Sequence, residues 1–248
     1  MHWIYLSPHL DDTALSCGGL VWEQSDSGDT VSIWTICAGD PPDQALSPFA
    51  ETLHARWGTG AAATQQRRRE DKLSCEQLKA EWVHFSIPDC IYRQDRQTGA
   101  YLYASEEAIM GPVHPAELTL LDELSGELAR RLPGASRVVA PLALGGHVDH
   151  RLVRAAAEKL ALPPDVLWFY ADYPYVLNSV GELEKLRQSN WQNRLYSVSN
   201  AGLTAWQASI AAHASQISTF WPDLSAMKTA IRAYWEPDRG VQLWKKGR

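Results

Sequence analysis

Cysteine is scarce in this chain, and the four present, Cys17, Cys37, Cys75 and Cys90, show no CxxC pairing. That spacing argues against a zinc–cysteine site or a disulfide framework, and reduced, mostly buried thiols are the expectation. No apolar run approaches the length of a membrane span, and the N-terminus has no basic segment followed by an apolar signal core. A cytoplasmic location follows as an expectation. Basic clusters are equally few. Arg67-Arg68-Arg69 stands alone, Glu70 and Asp71 follow it at once, and the net charge is -6, which argues against a nucleic-acid partner. The GxGxxG phosphate-binding pattern is missing, so Gly18-Gly19 reads as a close-packing device of helix against sheet. Internal repeats and low-complexity tracts are absent too.

What is there suits one α/β domain over residues 1–248: 45% hydrophobic and 21% charged residues are ordinary for a globular chain of this length. Short apolar runs predict strands at 3–6, 30–37, 83–87, 137–142 and 166–170, with a further one at 193–198. Helical spacing follows the first turn, then recurs at 64–82, 118–132 and 150–162, the last stopping at Pro163-Pro164. The tail from Leu203 to Trp235 reads as mostly helical, broken at Trp221-Pro222. Residues 40–62, with one helical piece from Phe49 to Trp57, and residues 90–115 are irregular and expected to shape a pocket. Alternating strands and helices imply a mainly parallel sheet in the order 3-2-1-4-5 plus the extra strand, with helices on both faces. Most of the eleven tryptophans are expected in packing, a minority at a pocket rim.

Two histidine–aspartate clusters stand out. His9-Leu10-Asp11-Asp12 follows the first strand, and His147-Val148-Asp149-His150 follows the fourth. The assumed order makes those strands neighbours at the switch point, so the clusters converge in one crevice. His9, Asp12 and His150 are the candidate ligands of a hydrolytic zinc, which takes three protein donors and leaves a place for water; iron or manganese also suits two imidazoles and a carboxylate. Asp11 is then free to act as general base. His147, if protonated, stabilises an oxyanion, with Asp149 holding its imidazole and raising its pKa. His2, His54, His84, His114 and His213 read as structural, and Cys17 as inert packing.

At these residues the chain resembles the LmbE/PIG-L family of zinc-dependent de-N-acetylases. The resemblance rests on Pro8-His9-Leu10-Asp11-Asp12-Thr13 through Gly19 and on His147-Val148-Asp149-His150. It extends to Arg67 and Glu70, to Tyr170 through Tyr175, and to His213 through Gln216. It implies a Rossmann-like fold, zinc on His9, Asp12 and His150, Asp11 as base, and His147 with Asp149 as the electrostatic partner. Arg67 would help hold the substrate, its alternative being an ion pair with Glu70, and Asp40 and Asp172 join it as expected substrate contacts. Leu10 stands where the motif has proline and Thr13 where it has glutamate. The implied reaction is removal of acetate from a small-molecule N-acetylated sugar or glycoside. A metal-dependent esterase or phosphoesterase, or a catalytically silent sugar-binding relative, are the alternatives. The sequence leaves a homo-oligomer open.

Overall fold

A strand flanked by parallel neighbours is covered on both faces and has to be apolar along its length. Trp3 through Leu6 meets that condition and lies inside the sheet with a parallel strand on each side. The computed structural model describes residues 1–43, 45–57, 63–163 and 165–247. Residues 44 and 58–62 of the expected 40–62 loop, and Pro164 of the Pro163-Pro164 stop, lie outside the described residues.

In chain order the elements are β1 (His2–Ser7), α1 (Asp12–Asp26), β2 (Thr30–Thr35), α2 (Pro48–Trp57), α3 (Ala63–Gln77) and β3 (Glu81–His84). Then come α4 (Glu106–Ile109), α5 (Leu118–Arg131), β4 (Ser136–Pro141), α6 (Val148–Lys159), β5 (Leu167–Tyr170) and α7 (Val180–Arg187). The chain ends with β6 (Trp191–Ser197), α8 (Asn200–Ala212), α9 (Ile217–Phe220), α10 (Leu224–Trp235) and β7 (Gly240–Lys246).

The sheet order is β3-β2-β1-β4-β5-β7-β6. Its first five strands are parallel and follow the expected 3-2-1-4-5, with Tyr5 of β1 in register with Ile33 on one side and Val139 on the other. The tail adds two antiparallel strands rather than one extra strand. β7 separates β5 from β6 and was not expected; Val241, Leu243 and Trp244 bury it against the sheet. Helices cover both faces. α3 stops at Gln77, short of the predicted Trp82, because β3 already begins at Glu81.

Three features position the chemistry. The backbone of α1 breaks at Cys17 (φ -151°, ψ 20°). Near the break the Ala14 carbonyl accepts the Trp206 indole N–H of α8 at 2.7 Å. A Cβ on Gly18 or Gly19 would come within 2.8 Å of the Trp206 ring, so the glycine pair serves helix–helix contact and not the helix–sheet contact expected. A satellite apolar cluster, including Leu53, Ile91, Tyr92, Tyr103 and Val148, ties α2 and the 90–109 segment together above the sheet's C-terminal edge. Finally, Glu70 of α3 accepts from the Ser215 backbone N–H (3.1 Å) and hydroxyl (2.6 Å), anchoring the turn after α8 to α3. All four cysteines are free and buried, as expected. No described helix is long and apolar enough to cross a membrane.

Candidate metal centre

The turn after β1 is knitted by Ser7, whose hydroxyl donates to the His9 carbonyl (2.7 Å) and accepts the Thr13 N–H (3.1 Å). Asp11 stands at the N-cap of α1, yet its side chain makes no capping hydrogen bond. That leaves its carboxylate free for other work, at the expense of the capping contribution such a residue ordinarily makes. Asp12, in the first turn, points back so that its Oδ2 accepts the His9 backbone N–H at 2.7 Å. The second cluster opens α6, where His147 is the N-cap and its Nδ1 accepts the Asp149 N–H at 3.2 Å.

The two clusters meet. Asp12 Oδ2 lies 3.2 Å from His9 Nδ1 and 3.3 Å from His150 Nε2. One nitrogen from each of His9, His147 and His150 lies within 4.8 Å of the other two. The remaining imidazole nitrogens are held by carboxylates: His9 Nε2 is 2.9 Å from Asp149 Oδ2, and His150 Nδ1 is 2.6 Å from Asp172 Oδ1. Proton donation to those carboxylates turns two ring lone pairs toward one carboxylate oxygen. Three such donors repel unless a positive charge lies among them. Donors around a tetrahedral zinc, at about 2.0–2.1 Å from the metal, are roughly 3.3 Å apart, and the separations at Asp12 match. His9, Asp12 and His150 therefore fit a divalent cation, with Asp149 and Asp172 as the outer carboxylates that commonly orient metal-bound imidazoles.

The electrostatics agree. Burial disfavours charge on all these groups, but His150 and His9 overcome it at Asp12 and hold its carboxyl well below the usual range. Against the same burial, Asp12 and Asp172 push His150 up to about 10, and Asp89, Asp12 and Asp149 raise His9 well above an ordinary histidine. The pocket thus demands positive charge, as protons or as a metal. At Asp11, burial and the neighbouring Asp12 win over Arg67 and push the carboxyl up to about 6.

Several expectations need correction. Asp149 does not give its carboxylate to His147. It bonds His9, the Cys90 N–H (3.0 Å) and Arg93 Nη2 (2.6 Å), and only its backbone meets His147. Nor is His147 raised: burial, helped by His9 and His150, pushes it down to about 3. It is a neutral ring with Nδ1 accepting, so its proton sits on Nε2. Asp172, expected at the substrate, is buried and spends its two oxygens on His150 and the Leu144 N–H (2.9 Å). Asp40, also expected there, is exposed and its Oδ1 pairs with Arg68 at 2.6 Å.

Arg67 does lie beside the cluster. Its Nη2 is 3.5 Å from Asp11 Oδ1 and its guanidinium lies 5.1 Å from the Trp57 ring centroid. Glu70 is engaged by Ser215, so the ion pair between Arg67 and Glu70 does not form. Leu10, Trp57, Asp89 and Tyr92 line a small gap of about 10 Å³ around Arg67. Trp57 is the tryptophan at the pocket, whereas Trp206, Trp235 and Trp244 are core. Sequence reasoning missed Asp89, whose Oδ2 is 3.8 Å from His9 Nε2; its place directly after the third predicted strand was the available signal. It also missed Arg93, for which no sequence signal exists.

Comparison with known proteins agrees with this geometry. Residues 4–161 match the PIG-L family model, described as GlcNAc-PI de-N-acetylase. The chain is 31% identical over 183 residues to a 2'-N-acetylparomamine deacetylase of Streptomyces fradiae, covering 69% of this chain and 57% of that protein. It thus spans less than two thirds of that relative. A 2'-N-acetylparomamine deacetylase of Niallia circulans is 24% identical over 262 residues, covering 98% of this chain and 93% of that one. Among solved structures, the zinc-inhibited form of the teicoplanin deacetylase Orf2 shares the fold with a TM-score of 0.77 at 23% identity, covering 99% and 97% of the two chains.

Proposed function

The chain belongs to the PIG-L family of de-N-acetylases, and from that premise we propose that it hydrolyses the acetamide of an N-acetylated amino sugar, releasing acetate and the free amine. The observation that carries this reading is the meeting of His9, Asp12 and His150 at one point, with Asp11 beside them on the same turn and uncommitted to capping. The names of the relatives support the bond broken and a sugar as its carrier. Residues 1–248 act as one catalytic unit, since the tail turn anchored to Glu70 braces the helix that bears Arg67.

His9, Asp12 and His150 would hold the cation, which we assign as zinc. When bound, such an ion polarises the amide carbonyl and lowers the pKa of water toward 7. The side chains divide the remaining work. Asp11, with its carboxyl near 6, takes a proton from the attacking water and returns it to the leaving amine, a role suited to a group that titrates close to neutrality. His147 donates its Nε2 proton as a hydrogen bond to the developing oxyanion while staying neutral. Arg67, beside Asp11, and Asp89, beside His9, orient the sugar. Asp149 and Asp172 keep the rings of His9 and His150 turned to the metal.

The test is Asp11→Asn, assayed for acetate release from N-acetylated sugars with metal content measured in parallel. We expect a loss of about a hundredfold or more with zinc retained. His150→Ala should instead lower zinc content itself, read by elemental analysis. Undiminished turnover in Asp11→Asn removes Asp11 from the mechanism, and full zinc in His150→Ala removes the metal assignment.

A further inference from the structure

Nε of Arg67 and Nε2 of His213 are two of the buried side-chain nitrogens left without a hydrogen-bond partner among the described residues. Bulk water reaches neither atom. Native proteins rarely leave such groups unpaired, and each exception asks for a reason. The backbone brings these two side chains to one place. Arg67 and Glu70 lie one turn apart on α3, where residues three positions apart are neighbours on the helix surface. Glu70 accepts the Ser215 N–H at 3.1 Å and the Ser215 hydroxyl at 2.6 Å. His213 is the C-cap of α8, two residues before Ser215, in a turn closed by the Gln216 N–H on the His213 carbonyl at 2.9 Å. α8 packs along α3, and the imidazole stands near enough to Arg67 for burial and the guanidinium together to keep it neutral.

A neutral ring beside a permanent cation is confined to one tautomer. An N–H turned toward the guanidinium would repel it, so the proton belongs on Nδ1 and Nε2 offers its lone pair. Arg67 has the matching donor to spare. Its Nη2 meets Asp11 Oδ1 at 3.5 Å and its guanidinium lies 5.1 Å from the Trp57 ring centroid, while its Nε–H is unspent. A guanidinium is rigid and planar, so a grip on its inner N–H sets the direction of the outer ones.

We propose that His213 is a positioning residue for Arg67: its Nε2 accepts the Arg67 Nε–H and thereby aims the outer guanidinium nitrogens at the sugar beside Asp11. The inference rests on the deacetylase reading above and assigns the residue behind its substrate-holding cation. His213 itself touches neither the sugar nor the metal. Without that acceptor the long Arg67 side chain keeps its rotamer freedom until substrate arrives, and binding has to supply the ordering.

The test pairs His213→Gln, whose amide oxygen can stand where Nε2 stands, with His213→Leu, which fills the space without an acceptor. Acetate release is measured on N-acetylglucosamine, N,N'-diacetylchitobiose and 2'-N-acetylparomamine, with zinc content alongside. On the best of these, His213→Leu should raise KM roughly tenfold and keep kcat within about twofold, the pattern of a lost binding interaction. Zinc content should not change, and His213→Gln should stay within about threefold of wild type. Adding His213→Leu to Arg67→Gln should cost nothing further, because the histidine acts only through the arginine. Nitrogen-15 NMR of the His213 ring gives a readout independent of turnover: Nε2 bare and Nδ1 protonated. An unchanged KM in His213→Leu, losses that multiply in the double variant, or a protonated Nε2 each overturn the positioning role and leave the deacetylase standing. Should His213→Leu fail to fold, the tautomer decides alone. If wild type releases acetate from none of the three sugars, the deacetylase reading falls and takes this inference with it.

Discussion

At the scale of single residues, His213 shows how a side chain outside the chemistry still sets a property of the protein. It is 2% exposed, and its Nε2 has no hydrogen-bond partner among the described residues. Burial, reinforced by Arg67 and opposed by Asp12, pushes its imidazolium down to about 3, whereas an unfolded histidine titrates near ~6.5. Between those values the unfolded chain binds a proton that the folded chain refuses. Native stability is thus intact above about pH 6.5 and declines as pH falls toward 3, with a limiting slope of about 1.4 kcal/mol per pH unit from this one group. Urea denaturation at pH values from 7 down to 4 should give a shallower acid limb for His213→Gln than for wild type. Equal slopes would show that some other group carries the acid sensitivity. Its position beside Arg67 comes from the turn after α8 and cannot be seen in the sequence.

Among the elements, the junction of α1 and α8 depends most on a single atom. The Trp206 ring occupies the space where two Cβ atoms would stand, and its N–H bonds the Ala14 carbonyl near the break at Cys17. Gly18→Ala puts a methyl 2.8 Å from a fully buried ring that has no room to retreat. Overpacking of this kind costs about 1–3 kcal/mol, and a urea melt should register that loss. The Gly-Gly pair was visible in the sequence, but its partner was not, because nothing local marks which of eleven tryptophans returns to it. β7 escaped for a related reason. Its alternation is spoiled by Leu243 and Trp244, adjacent and both buried, so a period of two does not stand out.

For the molecule as a whole, the parallel half of the sheet and the meeting of the two histidine clusters were legible, since strand–helix alternation restricts the topology and the switch point follows from it. The outer carboxylates were not. Asp149 and Asp172 each had more than one plausible partner, and only the folded geometry assigns them to His9 and His150. The same geometry makes a global prediction. His9 and His150 favour their protonated forms in the pocket, and a metal binds only neutral imidazole. Chelator-stripped protein should therefore release protons on taking up zinc at pH 7, seen as a buffer-dependent heat in titration calorimetry, and its Tm should rise with zinc concentration. A heat independent of buffer would contradict the ligand set. Arg93 shows how far that dependence reaches. Its guanidinium joins Glu117 to the carboxylate behind His9, so truncating it leaves two buried carboxylates without their cation. A neutral Arg93→Met chain should therefore both melt earlier and loosen its grip on the ion, a defect transmitted through His9 from a residue that never meets the metal.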